Sequence, residues 1–69
     1  MKLEYYNDTD HLYIDLVNRV GVDSIEVVDG VVIDLDAQGN LVGIDIEHAS
    51  TKLDLSSVET VSLPPPAGA

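Results

Sequence analysis

The stretch VDGVVIDLDAQGNLVGIDI, residues 28–46, decides the fold. Within it Val31, Ile33 and Leu35 alternate with Val32, Asp34 and Asp36, and Val42, Ile44 and Ile46 alternate with Gly43 and Asp45. A period of two is the signature of half-buried strands. Asp29-Gly30, set between two apolar runs, is a favoured pair for a two-residue type I′ hairpin, because glycine accepts positive φ without a steric penalty. Between the two runs, Ala37-Gln38-Gly39-Asn40 reads as a type I turn closed by a left-handed Gly39.

The same alternation extends towards the N-terminus. Leu3 and Tyr5 alternate with Lys2, Glu4 and Tyr6; after the polar break Asn7-Asp8-Thr9-Asp10, Leu12, Ile14 and Leu16 alternate with His11, Tyr13 and Asp15. Arg19 to Asp23 reads as a looser connection to a run in which Ile25 and Val27 alternate with Ser24, Glu26 and Val28. Parallel pairing needs crossovers of about a dozen residues or more, which the connections here do not supply. The expected fold is therefore all-β: a single small antiparallel meander sheet of about five strands with a short C-terminal helix or turn. For that last element, Ser56 followed by Glu59 fits a capping box, and Leu53, Leu55, Val58 and Val61 supply an apolar face. A sixth strand is the alternative, because Val58, Thr60 and Val61 are β-branched. Residues 1–63 form one β-rich domain on this reading, and residues 64–69, Pro-Pro-Pro-Ala-Gly-Ala, a disordered tail.

Composition narrows the function classes. A chain of 69 residues with ten Val, five Ile and eight Leu but no Phe, Trp or Cys builds a strand-rich core without large anchors or disulfides. Chains this short bury only about 60% of the surface they expose when unfolded, so a partner subunit is a natural source of stability and a homo-oligomer is expected. Thirteen acidic residues against Lys2, Arg19 and Lys52 give a formal net charge of −10. That balance disfavours nucleic acid and anionic membranes, which both need clustered Lys and Arg. No apolar run approaches the ~20 residues of a membrane-spanning helix, and no signal peptide is visible, so a cytoplasmic location is expected.

With the strands placed, the order of signals takes on a family character. Lys2-Leu3-Glu4-Tyr5, Asp10-His11-Leu12-Tyr13-Ile14, Gly30-Val31-Val32-Ile33-Asp34-Leu35-Asp36 and Gly39-Asn40-Leu41-Val42-Gly43-Ile44-Asp45-Ile46, closing with Ala49-Ser50, resemble the small bacterial domain-of-unknown-function family numbered twenty-two eighty-three. The resemblance spans roughly residues 1–53. It departs at His11, where members more often carry Ala, and at Asp45, where they more often carry Glu. It implies a compact β-rich domain without established activity. Some members sit beside small toxin-like proteins, which implies an antitoxin-like or partner-binding role.

Three constellations bear on function. Asp34, Asp36, Gln38 and Gly39, with Asp45 eleven positions after Asp34, mimic the spacing of a calcium loop. The flanks read as strands where that loop needs helices, and position twelve is Asp where a bidentate Glu is usual, so the plain reading is a turn that carries acids. The alternation supplies a more physical signal. If Leu16, Ile25, Ile33 and Ile44 point one way, Asp15, Glu26, Asp34 and Asp45 point the other. Like charges opposite one another on adjacent strands cost about 0.2–1 kcal/mol per pair, and Asp34 and Asp45 are expected to face each other in this way. These four acids are the candidate partner-binding residues, and the partner they imply is a basic protein. Val17, Val28 and Val32 place apolar groups on the nominally polar side, which points to cover by the C-terminal segment or by a second copy.

Catalysis has thin support. His11 and His48 lie far apart in sequence, no serine sits in a Gly-X-Ser-X-Gly setting, and Tyr5, Tyr6 and Tyr13 read as core-edge residues of the first hairpin. The expectation is a non-enzymatic, acidic interaction module with no cofactor; a divalent-cation domain built on Asp34, Asp36 and Asp45 is the alternative.

Overall fold

The computed structural model describes residues 1–65. Five strands and one helical turn follow each other along the chain: β1 (Lys2–Tyr6), β2 (His11–Asp15), β3 (Asp23–Val28), β4 (Val31–Leu35), β5 (Leu41–Ile46) and α1 (Ala49–Lys52). All four pairings are antiparallel and form one open sheet, so the all-β expectation holds. The strand order, β1-β2-β5-β4-β3, corrects the meander. β5 takes the central place beside β2, and β3 goes to the edge. Burial explains the choice, since Val42, Gly43 and Ile46 of β5 are buried whereas every residue of β3 is exposed. Residues 16–22 make the transfer possible. Three strand spacings amount to about 14 Å, and seven extended residues reach about 23 Å.

Register turns the alternation into two distinct faces. Leu3, Ile14, Ile44, Ile33 and Ile25 form one row across all five strands, and Tyr5, Leu12, Ile46, Val31 and Val28 form the next. Val28 joins this apolar row because a bulge between Glu26 and Val28 shifts its register, which corrects its expected place on the polar side. The Asp29-Gly30 turn is also not type I′. Gly30 is left-handed at φ 78°, but Asp29 is not among the positive-φ residues, and the neighbouring bulge accommodates the strand twist. Gly39 is left-handed at φ 83°, as its turn requires.

The helix lies earlier than expected. Residues 53–63 form neither helix nor strand; the Ser56 amide, which a capping box would pair with Glu59, donates instead to the Asp54 carboxylate, as does the Ser56 hydroxyl. Of the four apolar residues assigned to that helix, Leu55 packs against the core of Leu12, Ile46 and Ala49, while Val58 and Val61 stand exposed. The expectation for the tail lies, from Pro66 onward, outside the described residues.

Four residues of helix cannot hold themselves; α1 is held from outside. Asp10, left-handed at φ 54°, accepts the Ser50 amide at 3.0 Å, the Ser50 hydroxyl at 2.6 Å and the Tyr5 hydroxyl at 2.7 Å, while its carbonyl accepts the Ala49 amide. From the last helical residue, the Lys52 ammonium donates to the carbonyls of Glu47 and Asp29. The Lys52 ammonium lies where a Cβ at Gly30 would sit, but a lysine tip moves aside cheaply, so it is the positive φ that favours glycine there. The turn thus ties both hairpins at one end of the sheet. At the other end Asp36 is buried. It accepts the amides of Asn40 and Gln38 and the Arg19 guanidinium, which holds the crossing loop to the β4–β5 turn.

Both clamps titrate in the same sense. The hydroxyls of Ser50 and Tyr5 hold the Asp10 carboxyl below its ordinary value, and the amides of Asn40 and Gln38 do the same for Asp36. A depressed folded-state pKa contributes stability above the unfolded value near 3.9, and that contribution is lost as pH falls through the folded value. Thermal melts between about pH 5 and about pH 2 should therefore show a steep loss of stability. An Asp10→Asn, Asp36→Asn variant should start lower at neutral pH and fall less steeply, and parallel slopes would exclude these two groups as the cause.

Candidate interaction face

The opposite side of the sheet carries the polar residues in two rows. Lys2, Asp15, Gly43, Asp34 and Ser24 align across the strands, and next to them Glu4, Tyr13, Asp45, Val32 and Glu26. All four predicted acids, Asp15, Glu26, Asp34 and Asp45, therefore share this face. Asp34 and Asp45 do not oppose each other as expected: Asp34 faces Gly43, and Asp45 faces Val32. Interleaving small and apolar residues between the acids lowers their mutual repulsion.

The four acids are held differently. Asp34 accepts the Tyr13 hydroxyl at 3.0 Å and the Ser24 hydroxyl at 2.8 Å. Asp45 lies 3.1 Å from Nδ1 of His11. Glu26 accepts the Gly30 amide at 3.3 Å, and Asp15 has no side-chain hydrogen bond among the described residues. Asp34 is thus structural as well as acidic, whereas Asp15 and Glu26 leave most of their lone pairs to whatever meets the face.

Tyr13 was expected at the core edge and instead spans the polar face. From β2 it lies over Gly43 of β5 to reach Asp34 of β4. A Cβ at position 43 would collide with the phenolic oxygen and sit 2.7 Å from Cζ. Burial first, then the carboxylate it donates to, push the Tyr13 phenol above its ordinary value. The sequence carried one signal for this contact, since a glycine inside a strand often marks close approach by another group.

The basic residues make their close contacts with other groups, although Lys2 shares the polar face. Lys2, opposite Asp15 in register, pairs with Glu4 at 3.1 Å; Arg19 pairs with Asp36 at 3.2 Å; Lys52 binds backbone carbonyls. Among the described residues no ion pair from Lys or Arg reaches Asp15, Glu26, Asp34 or Asp45. The calcium-loop positions also part company, with Asp34 on the polar face and Asp36 folded into its own turn. Among the described residues no group of three His, Cys, Asp or Glu side chains is arranged to hold a metal ion. No helix among the described residues is long and apolar enough to cross a membrane. His48 is exposed and takes the left-handed position before α1, remote in role from the His11–Asp45 pair.

Residues 2–50 match the family described as "Protein of unknown function (DUF2283)". The chain belongs to this family. The match takes in all five strands and the start of α1, so both faces of the sheet lie within the DUF2283 domain. No curated protein and no solved structure matches the chain.

The Tyr13–Gly43 contact in this DUF2283 domain gives a stability test. Tyr13→Phe removes one hydrogen bond and should cost about 0.5–1.5 kcal/mol in urea denaturation. Gly43→Ala should cost about 1–3 kcal/mol through overpacking. If the two side chains meet as described, Tyr13→Ala combined with Gly43→Ala costs clearly less than the two single changes added together; strict additivity would refute the contact.

Proposed function

We propose that this domain is a non-catalytic interaction module whose acidic face docks a basic surface of another protein. The observation that carries the reading is that a chain of net charge −10 places four acids on one face whose strand rows hold a single basic residue, Lys2, itself paired with Glu4, while Arg19 pairs with Asp36 and Lys52 binds backbone carbonyls. Asp15 and Glu26, the least engaged acids, and Asp45 are the contact residues; Asp34 adds its charge while holding Tyr13 and Ser24 in place. Lysine or arginine side chains of a partner would supply the neutralising charge that the fold withholds. Small toxin-like proteins are one source of such a surface, in keeping with the association that the family resemblance implies.

The test starts from a low-salt capture on immobilised protein, with elution by a salt step, and takes any stoichiometric basic protein forward as a purified ligand. Asp15→Asn, Glu26→Gln and Asp45→Asn together should weaken its binding about tenfold or more, near 1.4 kcal/mol, and should flatten the salt dependence. Melting temperature should stay close to wild type, because Asp34 is left intact. Binding that survives all three substitutions would remove the acidic face from the interaction. A rise in melting temperature on adding calcium, reversed by chelator, would redirect these acids to a cation.

A further inference from the structure

We propose that the apolar face of the sheet is closed by the same face of a second copy, giving a two-layer β-sandwich dimer with both acidic faces outward. Stable domains bury a sheet's hydrophobic face against a second layer, and this chain supplies little of one. Cover comes from α1 and Leu55 over Leu12 and Ile46. Beyond them Ile14, Ile44, Ile33 and Val31 are half-buried and the rows lie open at their edge-strand ends, with Leu3 48%, Tyr5 45%, Ile25 46% and Val28 62% exposed, and among the described residues no large side chain is fully buried.

Shape and area agree. The molecule measures 37 × 32 × 19 Å with a radius of gyration of 13.4 Å, where a compact chain of this length has about 11 Å. Its accessible surface is 5246 Å², against about 4,200 Å² for a globular monomer of this mass. Met1, Val20, Val22, Val58, Val61 and Leu63 carry part of that excess, and the exposed ends of the apolar rows carry another part. A stable interface buries about 800 Å² on each partner, an area of the same order as this excess.

Charge sets the orientation in which two copies can meet. Each copy carries −10, so contact through the polar face would set carboxylates against carboxylates. The two apolar rows hold no charged residue. Two copies therefore meet at lower electrostatic cost through this face than through the polar one, with α1 and Leu55 of each copy at one end of the contact.

Light scattering at about 100 µM, well above the micromolar constants common for such interfaces, should give twice the 7.4 kDa chain mass. Leu3→Glu with Ile25→Glu should return it to the monomer, because both positions are exposed in the single chain and line the apolar face. Asp15→Asn with Glu26→Gln, on the other face, should leave the dimer intact. A second readout needs no variant: melting temperature should rise with protein concentration, since folding is linked to association. About 1 M salt, which shrinks the screening length to about 3 Å, should preserve the dimer while releasing a basic partner, so the two proposals fail separately. A monomeric wild-type mass with a concentration-independent melt would overturn the dimer and leave the face to the chain's own C-terminal segment. A dimer that survives Leu3→Glu and Ile25→Glu would overturn this face as its interface.

Discussion

The β2–β5 ladder is the constraint on which the sheet depends. In the order β1-β2-β5-β4-β3 it joins the N-terminal hairpin to the three strands that follow, through the register Leu12↔Ile46, Tyr13↔Asp45, Ile14↔Ile44 and Asp15↔Gly43. A slip by one residue would exchange the two faces. Apolar pairs at Leu12 and Ile14 oppose that slip on one side, and Tyr13 opposes it on the other by fitting only where residue 43 has no side chain. Its hydroxyl, ending on Asp34, carries the junction one strand further, and Ser24 completes a line of hydrogen bonds from β2 to β3.

Everything at the two ends of the sheet serves the same junction. Asp10 and Lys52 bind α1 to the two hairpin turns, so the short helix braces the strands that β2 and β5 bring together. Arg19 and Asp36 fasten the crossing loop at the opposite end. A small chain with few basic residues has thereby placed Arg19 and Lys52 at structural joints, and the acids of the central polar face share it with hydroxyls, an imidazole and the exposed Lys2–Glu4 pair. Stability near neutral pH is compatible with this arrangement because the repelling acids are spaced by Gly43 and Val32, and because exposed charges beyond about 8–10 Å are screened at ordinary ionic strength.

The alternation of residues 2–46 made the strands legible, along with the apolar and acidic faces and the left-handed Gly39. Alternation states which way a side chain points, but it is silent on which strand becomes a neighbour. Hence the order was not legible, although the exposed character of β3 and the interior Gly43 of β5 both bore on it. Asp29-Gly30 misled because turn preference is local while the bulge that replaced the type I′ geometry belongs to the β3–β4 pair. The helix escaped for a related reason. Its N-cap, His48, makes no side-chain cap bond, and its first amides are held instead by Asp10, 40 residues before Ser50; no window of local sequence contains both. Ser56 offered a local cap, and its amide, the group Glu59 would have met, donates instead to Asp54 two residues away.

A one-layer sheet with opposite chemistry on its two sides can serve two associations without competition between them. Period-two alternation is what separates the chemistries, because neighbouring residues differ by nearly 180° in direction and acids cannot stray onto the apolar rows without a register fault. In the proposed sandwich, self-association draws on apolar area and grows no weaker as salt rises, while docking of a basic partner draws on charge and weakens. Pairing two copies would also present two acidic faces from one particle. A partner with two basic surfaces, or two copies of a partner, would then bind with a gain in effective concentration beyond the strength of either face alone.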